Sequence, residues 1–231
     1  PEPLAQAPAT PKGRRVALRL AAALGLPEAV LQPAPSERAA RALRATRRTP
    51  GTRPAQTVIF LVPLVGPHHV TDWTTVTNRL RVTLQSFLDQ DDPRWRAVIC
   101  CQTAPPLPAD PRITHLPFDD PTPGNDKWRK LAALADHLPR IAADPAYVMT
   151  FDADDLLARD AVAEMLGRQA SGGYLVEAGY VLDHGTGTVA LADRPSVTTP
   201  LRKPFWKLCG SCVALRHDPD VPQSAAFLKA M

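Results

Sequence analysis

Short, nearly uninterrupted apolar runs constrain the fold of this 231-residue chain more than any other feature. They occupy residues 58–62, 96–101 and 147–151. Runs of this kind are typical of strands whose two faces are both buried, as in parallel sheets. Residues 71–90 and 126–138 lie between the runs and carry apolar residues at helical spacing. Strands that alternate with helices predict an α/β fold, with a mostly parallel sheet flanked by helices.

The remaining elements follow from shorter signals. A further strand is predicted at 112–116, a helix at 161–166 and a last strand at 211–215. Residues 174–182 and 188–192 are predicted as two strands joined through the His-Gly-Thr-Gly turn at 184–187. Ligands of such sheets bind beyond the carboxyl ends of the strands. We therefore expect functional residues directly after the runs at 58–62, 96–101 and 147–151.

Charge divides the chain into a basic N-terminal arm and a mildly acidic remainder. Residues 1–55 hold ten Lys or Arg and three acids, a net charge of +7, whereas residues 56–231 hold seventeen and twenty, a net charge of −3. The formal +4 of the whole chain therefore belongs to the arm, and it does not indicate a specific nucleic-acid partner. We predict an Ala/Arg/Pro-rich arm and linker at 1–55 and one domain at 56–231.

The arm is predicted to contain two short helices, at 14–24 and 36–48, with Ser36 as the N-cap of the second. The first would carry Val16, Leu20 and Leu24 on one face. A basic amphipathic helix can contact a membrane surface or a protein partner. The alternative interpretation, which we favour, is a pair of solvated helices packed on the domain.

Neither a membrane span nor a secreted scaffold is predicted. The sequence has no window of about 18 uninterrupted apolar residues, and Arg19 interrupts the apolar stretch that a signal peptide would need. Four cysteines are too few for a disulfide framework. We expect a cytoplasmic protein, whose arm offers a route to peripheral contact with the inner membrane face.

Three acids, Asp152, Asp154 and Asp155, follow the strand at 147–151. Asp152 and Asp154 are two residues apart, so in an extended backbone they would point the same way. Neighbouring carboxylates repel each other unless they share a cation, and hard oxygen ligands suit Mg²⁺ or Mn²⁺. The sequence thus predicts Asp152 and Asp154 as metal ligands. In the alternative, the acids form a turn and Asp155 caps the next helix.

The segment that holds these acids resembles a known block. Residues 147–166 read YVMTFDADDLLARDAVAEML, which is similar to the D-x-D region of nucleotide-sugar glycosyltransferases with the GT-A fold, above all the large inverting family two. Other segments resemble the family in the same order, at 58–63, 83–90, 95–101, 124–131 and 207–216. The resemblance spans roughly residues 56–216. It implies a GT-A-like, Rossmann-related sheet with a helical or disordered N-terminal arm.

The resemblance also implies an activity. A metal-dependent enzyme would move a sugar from a nucleotide-diphosphate donor to a hydroxyl of a saccharide or glycolipid acceptor, in the synthesis of a polysaccharide or glycoconjugate. Asp152 and Asp154 would hold Mn²⁺ or Mg²⁺ beside the leaving diphosphate. The donor-binding positions that the resemblance implies are Pro63, Val65, Gln102, Lys127, Asp152 and Ala153.

The family's catalytic base is an acid beyond its glycine-bearing strand, which Gly210 marks here. Asp218 and Asp220 are the carboxylates that follow Gly210, so one of them is the expected base for the acceptor hydroxyl. The alternative is that the base lies beyond residue 231 and that the chain is truncated at its C-terminus.

Two loops depart from the family pattern. Residues 101–104 read CQTA where family members often carry an acid that holds the nucleotide base, and there Gln102 can hydrogen-bond a base. Residues 63–66 read PLVG instead of Pro-x-Tyr-Asn. Two alternatives therefore stay open. One is a nucleotidyltransferase on a similar sheet, although its usual arginine-rich loop is absent. The other is a catalytically incomplete GT-A-like binding module.

Cys209 and Cys212 form a C-x-x-C pair. The spacing can indicate a redox or zinc site. However, the other two cysteines are adjacent, which is poor geometry for completing a zinc tetrahedron. We interpret Cys209 and Cys212 as small buried residues of a strand.

Overall fold

A six-stranded mixed sheet forms the centre of the molecule in the computed structural model, which describes residues 11–25, 33–46, 53–120 and 124–230. Four strands run parallel: β1 (Thr57–Pro63), β2 (Trp95–Cys101), β3 (Ile113–Pro117) and β4 (Ala146–Thr150). The predicted α/β fold with a mostly parallel sheet flanked by helices is confirmed.

Two short strands complete the sheet on the far side of β4. They are β8 (Val213–His217), antiparallel to β4, and β5 (Gly173–Leu175), antiparallel to β8. The strand order is β3-β2-β1-β4-β8-β5. The first four strands have the order of a Rossmann-like sheet, in which the direction of winding reverses between β1 and β4.

Helices cover both faces of the sheet, which explains the uninterrupted apolar sequence of β1. Val58, Phe60 and Val62 pack with α3 (Trp73–Leu88) and α5 (Ala161–Arg168) on one face. Ile59 and Leu61 pack with α4 (Lys127–Ile141) and α6 (Pro222–Ala230) on the other. A strand that is covered on both sides cannot alternate apolar with polar residues.

One predicted strand is wrong. Residues 174–182 do not form a single strand: β5 ends at Leu175, and β6 (Gly179–Asp183) belongs to a separate hairpin with β7 (Thr188–Ala192). Between β5 and β6 the carbonyl of Glu177 accepts a hydrogen bond from the Phe205 N–H at 3.0 Å. A contact with a distant loop therefore redirects the chain, and the local sequence does not encode it. The strand predicted at 211–215 begins two residues later, at Val213.

The described part of the arm forms two helices, α1 (Lys12–Ala23) and α2 (Pro35–Thr46). The three residues predicted to share one face of α1, Val16, Leu20 and Leu24, are exposed, and the helix buries Leu18 and Ala21 instead. α2 packs against α6, so at least this helix lies on the domain.

The start of α2 also differs from the prediction. The helix begins at Pro35, so Ser36 lies inside its first turn, and the Glu37 carboxylate accepts a hydrogen bond from the Ala34 N–H at 2.9 Å. The predicted end of this helix at residue 48 lies outside the described residues, and the domain boundary at residue 55 stays a prediction. None of the described helices combines the length and apolarity that a bilayer span requires.

Candidate functional site

An open cleft of about 620 Å³ lies at the carboxyl ends of β1 and β4. This is the point where the strand order reverses, and open α/β sheets bind their ligands there. Four segments meet in the cleft: the residues after β1, the helix α3, the start of α4 with the loop before it, and the acidic loop after β4. Its lining comprises Pro63, Leu64, Val65, His69, Val70, Val76, Arg79, Gly124, Asn125, Asp126, Lys127, Lys130, Asp152, Ala153 and Asp154.

A lysine and an aspartate face each other across this cleft. Lys127, the first residue of α4, places its Nζ 2.6 Å from Oδ1 of Asp152. Both side chains are partly exposed, at 39% and 28%. Asp152 directly follows Phe151 at the end of the buried strand β4, so the sheet fixes its backbone. The pair is therefore held on rigid elements yet remains accessible to a ligand.

The acidic loop is a turn rather than extended backbone. Its Asp155 N–H donates to the carbonyl of Asp152 at 3.2 Å, and residues 153 and 154 form the turn. Contrary to the sequence-based prediction, Asp152 and Asp154 are therefore not aligned by two-residue spacing along an extended strand. The turn nevertheless places both carboxylates in the lining of one cleft, and Asp154 is exposed.

Residues 209–211 hold this acidic loop in place through hydrogen bonds. Ser211 Oγ accepts a hydrogen bond from the Asp152 N–H at 2.7 Å, and Cys209 Sγ donates to Oδ2 of Asp155 at 3.1 Å. A Cβ on Gly210 would lie 2.6 Å from Oδ2 of Asp152, so the backbone of Gly210 packs closely against this carboxylate. The Cys-Gly-Ser-Cys sequence thus positions the acids.

The cysteines do not have the properties of a redox pair. Burial raises the pKa of the Cys209 thiol to about 12, and its hydrogen bond to Asp155 adds to the shift. Burial also raises the pKa of Cys212. Reactive cysteines have lowered pKa values. The predicted burial is right for Cys212 and partly right for Cys209, but both residues precede β8 instead of lying within it.

Helix α3 also supports this loop. Thr83 Oγ1 donates to the carbonyl of Asp155 at 2.8 Å, and Ser86 Oγ accepts from the Leu157 N–H at 3.2 Å. Gln90 donates to the carbonyl of Ala158 at 2.8 Å. These three polar residues belong to the segment 83–90 that the sequence resemblance singled out. Their role is to hold the backbone that follows the acids.

A buried charged network lies beneath the cleft. Asp126 Oδ2 accepts hydrogen bonds from Lys130 Nζ at 2.8 Å and from Gln102 Nε2 at 2.6 Å. Lys130 Nζ also donates to the carbonyl of Leu64 at 2.6 Å, which ties α4 to the end of β1. Burial raises the pKa of Asp126, but the hydrogen bonds and the Lys130 charge outweigh it, and the net pKa is lowered.

Gln102 therefore has a different role from the predicted one. It lies in the second loop but does not line the cleft; its amide holds Asp126 instead of facing a ligand. A Cβ on Gly66 would lie 2.6 Å from Gln102 Oε1, so the first loop packs closely over this side chain. The other predicted donor- and metal-binding positions all line the cleft: Pro63, Val65, Lys127, Asp152, Ala153 and Asp154.

The structure does not bring the two candidate bases to the cleft. Because β8 runs antiparallel to β4, His217 pairs with Ala146 at the start of β4, whereas the acidic loop follows its end. Asp218 and Asp220 thus lie at the opposite end of the strands, near the start of β4. There Asp220 pairs with Arg53 at 2.7 Å. Neither carboxylate can take a proton from a substrate in the cleft, so that prediction is corrected.

Several cleft residues escaped the sequence analysis. Asp126 directly precedes α4 and Lys130 lies within it, four residues later, a spacing typical of an ion pair that could have indicated them. Arg79 reaches the cleft from the exposed side of α3, and Asn125 from the loop before α4. Asn125 belongs to the resembling segment 124–131, whereas no local pattern distinguishes Arg79 from ordinary surface residues.

The donor set of the cleft fits Mg²⁺ or Mn²⁺ only together with a substrate. The described residues contain no group of three or more His, Cys, Asp or Glu side chains arranged to hold a metal. Two carboxylates, Asp152 and Asp154, line one cleft, and Mg²⁺ is commonly held by one or two carboxylates plus substrate phosphates. One oxygen of Asp152 is already engaged by Lys127.

Comparison with known proteins does not assign the chain to a family. No family model matches it, and no curated protein matches it. Among solved structures, the chain is similar to a crystal structure of 4-diphosphocytidyl-2C-methyl-D-erythritol synthase, with 18% sequence identity and a TM-score of 0.39 over 72% of this chain and 77% of that chain.

Proposed function

We propose that this protein is a transferase whose cleft binds a nucleotide substrate through its phosphates. The observation that carries the proposal is the Lys127–Asp152 pair at the point where the strand order reverses. A cation beside carboxylates on rigid elements suits a phosphorylated ligand, because the cation binds phosphate directly and the carboxylates bind its metal.

The chain's own residues would divide the work as follows. Lys127, freed from Asp152 by a bound metal, would donate to a phosphate oxygen, and exposed Arg79 would add a second cation at the cleft. Lys130 is 1% exposed and donates to Asp126 and to the carbonyl of Leu64, so we assign it to ordering the site and not to the ligand. Asp152 and Asp154 would hold Mg²⁺ or Mn²⁺, which would supply positive charge against the leaving phosphate.

Glycosyl transfer is the first candidate reaction. The acceptor oxygen would attack the anomeric carbon, the bond from that carbon to the diphosphate would break, and the hydroxyl proton would pass to a base. The ordered resemblance over residues 56–216 favours this reaction, with a nucleotide sugar as donor and a saccharide or glycolipid as acceptor. The contacts of residues 83–90 and 209–211 with the acidic loop support it, because they explain why these segments occur together.

Nucleotidyl transfer is the second candidate, and the placement of Asp218 and Asp220 favours it. A phosphate oxygen of the acceptor would attack the α-phosphorus of a nucleoside triphosphate, and pyrophosphate would leave. A phosphate monoester is already anionic at neutral pH, so this reaction needs no carboxylate base. Within the described residues, neither carboxylate expected as a base reaches the cleft.

Calorimetry and product analysis test the proposal. We expect one or more of a panel of nucleoside di- and triphosphates and nucleotide sugars to bind in the presence of Mn²⁺. Release of a nucleoside diphosphate from a nucleotide sugar would identify glycosyl transfer, and release of pyrophosphate from a triphosphate would identify nucleotidyl transfer. If no nucleotide binds with Mn²⁺ present, the proposed function is wrong.

A further inference from the structure

One of the described residues that line the cleft is a histidine. His69 ends a short 3₁₀ turn, Pro67–His69, that follows β1. Its side chain is 34% exposed, so a ligand in the cleft can reach the ring. Histidine is the side chain type that most readily takes up and releases protons near neutral pH. An imidazole thus lines the same cleft as Lys127, Asp152 and Asp154.

The turn that carries His69 is held on the buried network beneath the cleft. The His69 N–H donates to the carbonyl of Gly66 at 3.0 Å. Gly66 packs closely over Gln102, whose amide in turn donates to Asp126. The ring of His69 also packs against the ring of His68, with 4.1 Å between the ring centres. These contacts give the ring a defined place at the cleft.

A buried carboxylate faces this ring. His69 Nε2 lies 3.9 Å from Oδ2 of Asp126, whose side chain is 8% exposed. The lowered pKa of Asp126 keeps this carboxylate charged at neutral pH. The distance is too long for a hydrogen bond, so the interaction is electrostatic. A negative charge at this position stabilises the imidazolium ion that forms when the ring takes up a proton.

The other charged groups of the cleft act in both directions. Cations are contributed by α4 and α3, and anions by the acidic loop; they are Lys127, Lys130, Arg79, Asp152 and Asp154. Each cation opposes a further positive charge on the ring. A nucleotide diphosphate bound to Lys127 and Arg79 would offset their charge, so the ring would take up a proton more readily once the donor is in place.

The carboxylates of the cleft are less suited to this role. Asp126 is buried, and its Oδ2 already accepts two hydrogen bonds. Asp152 and Asp154 are the proposed ligands of the metal, and a divalent cation opposes protonation of the carboxylates that hold it. Among the described residues of the lining, His69 is therefore the side chain best suited to accept a proton from a substrate.

We infer that His69 is the base that accepts a proton from a hydroxyl of the acceptor, which is therefore an alcohol. The O–H bond of the acceptor would break and its proton would pass to an imidazole nitrogen, while the oxygen forms a bond to the anomeric carbon. The bond from that carbon to the diphosphate would break, and its electron pair would leave with the diphosphate.

This inference rests on the proposed function and specifies it. It names the acceptor class for glycosyl transfer, and it places in the cleft the base that neither Asp218 nor Asp220 provides. Nucleotidyl transfer to a phosphate would need no such base, so the role of His69 distinguishes the two candidate reactions.

Hydrolysis of the donor tests the inference, because water can replace an acceptor and must also lose a proton. The probes are hexoses linked to UDP, GDP or dTDP, with Mn²⁺, and the readout is the nucleoside diphosphate released. His69→Ala and His69→Gln should both lower kcat at least about 100-fold, while calorimetry should find Kd of the nucleotide sugar within about threefold of the wild type. Added imidazole should restore part of the turnover of His69→Ala, which leaves space for it, but not of His69→Gln.

Two other histidines provide matched controls. His184→Ala changes the exposed turn of the β6–β7 hairpin and should turn over like the wild type. His68→Ala removes the ring that packs on His69, so it should lower kcat far less than His69→Ala, and imidazole should not raise its turnover. Circular dichroism verifies that each variant folds.

The possible outcomes separate the inference from the proposed function. Unchanged kcat in the two His69 variants, a change in Kd alone, or an equal loss in His68→Ala overturns the inference and leaves the nucleotide-binding transferase standing. Release of pyrophosphate from triphosphates, without release from any nucleotide sugar, has the same meaning. If the wild type binds no nucleotide with Mn²⁺ present, the proposed function and the inference are both wrong.

Discussion

Aspartates lie at both ends of the strands of the central sheet, but their surroundings differ. At the carboxyl end of β4, Asp152 and Asp154 line an open cleft, and Asp152 faces the partly exposed Lys127. At the opposite end of the strands, Asp220 pairs with Arg53 on the surface, and Asp218 accepts a hydrogen bond from the Asp220 N–H at 3.0 Å. An aspartate near a strand end thus indicates function only when the direction of the strand is known.

The ion pairs at the two ends of the strands also differ in how deeply they are buried. Asp126 and Lys130 beneath the cleft are 8% and 1% exposed, whereas Asp220 and Arg53 are 75% and 51% exposed. A buried pair is costly to break because the remaining charge loses its partner in a poorly solvated place, while an exposed pair contributes little. The following predictions test this contrast, from the largest expected effect to the smallest.

Lys130→Met should lower the free energy of unfolding by about 3–5 kcal/mol, because it leaves Asp126 buried without its cation. Asp220→Asn at the other end of the strands should lower the free energy of unfolding by at most about 1 kcal/mol. Urea denaturation measures both. The double variant Asp126→Leu/Lys130→Met should recover most of the loss. Equal losses for the two single variants would contradict the contrast.

Asp154→Ala should weaken the Mn²⁺-dependent binding of a nucleotide at least about 100-fold, because one of two metal-binding carboxylates is removed. Asp220→Ala, which removes an aspartate from the opposite end of the strands, should bind like the wild type. Calorimetry with and without Mn²⁺ measures both. If Asp154→Ala binds normally, the metal assignment is wrong.

Lys127→Ala should weaken nucleotide binding about tenfold, because a charged hydrogen bond to phosphate is lost. Binding of Mn²⁺ alone should not weaken, since the change frees the Asp152 oxygen that Lys127 engages. Lys229→Ala, which breaks the exposed pair with Asp136, is the matched control. Weaker Mn²⁺ binding by Lys127→Ala would show that the lysine does not compete with the metal.

Groups at the two ends of the strands should lose their contributions to stability in different pH ranges. Burial lowers the pKa of His217 below 6.5, so its contribution is complete above pH 6.5 and is lost as the pH falls through the lowered value. The lowered pKa of Asp126 gives a contribution that is complete above pH 3.8 and is lost only at more acidic pH.

His217→Asn should therefore flatten the pH dependence of unfolding below pH 6.5, by at most about 1.4 kcal/mol per pH unit. His137, whose pKa burial also lowers, remains in the variant and accounts for a residual slope. Urea denaturation at a series of pH values measures the slope. An unchanged slope would show that His217 is not held neutral in the folded chain.

The sequence was informative where local pattern and environment agree. The strands β1, β2 and β4 are apolar throughout because helices cover both faces of the sheet, and α3 and α4 carry their apolar residues at helical spacing. Six of the seven predicted donor- and metal-binding residues line the cleft because they lie at the ends of parallel strands or begin the helix beside them, whereas neither predicted base does. Whether these residues bind nucleotide and metal stays a prediction.

Long-range contacts explain what the sequence could not give. The division of residues 174–182 between two sheets depends on Phe205, and the apolar face of α1 that is buried depends on what packs against it. Gln102 resembles a ligand-binding residue in sequence, yet a charge on a helix 24 residues later engages its amide.

By itself the sequence determined the alternation of strands and helices, and the position of three acids at the end of a buried strand, because both follow from local apolar periodicity and chain order. The tertiary structure alone decided that β8 runs antiparallel, which carries Asp218 and Asp220 away from the cleft, and that Lys127 meets Asp152 across it. Strand direction and cross-chain pairing are set by packing between distant segments, and no window of sequence contains both partners.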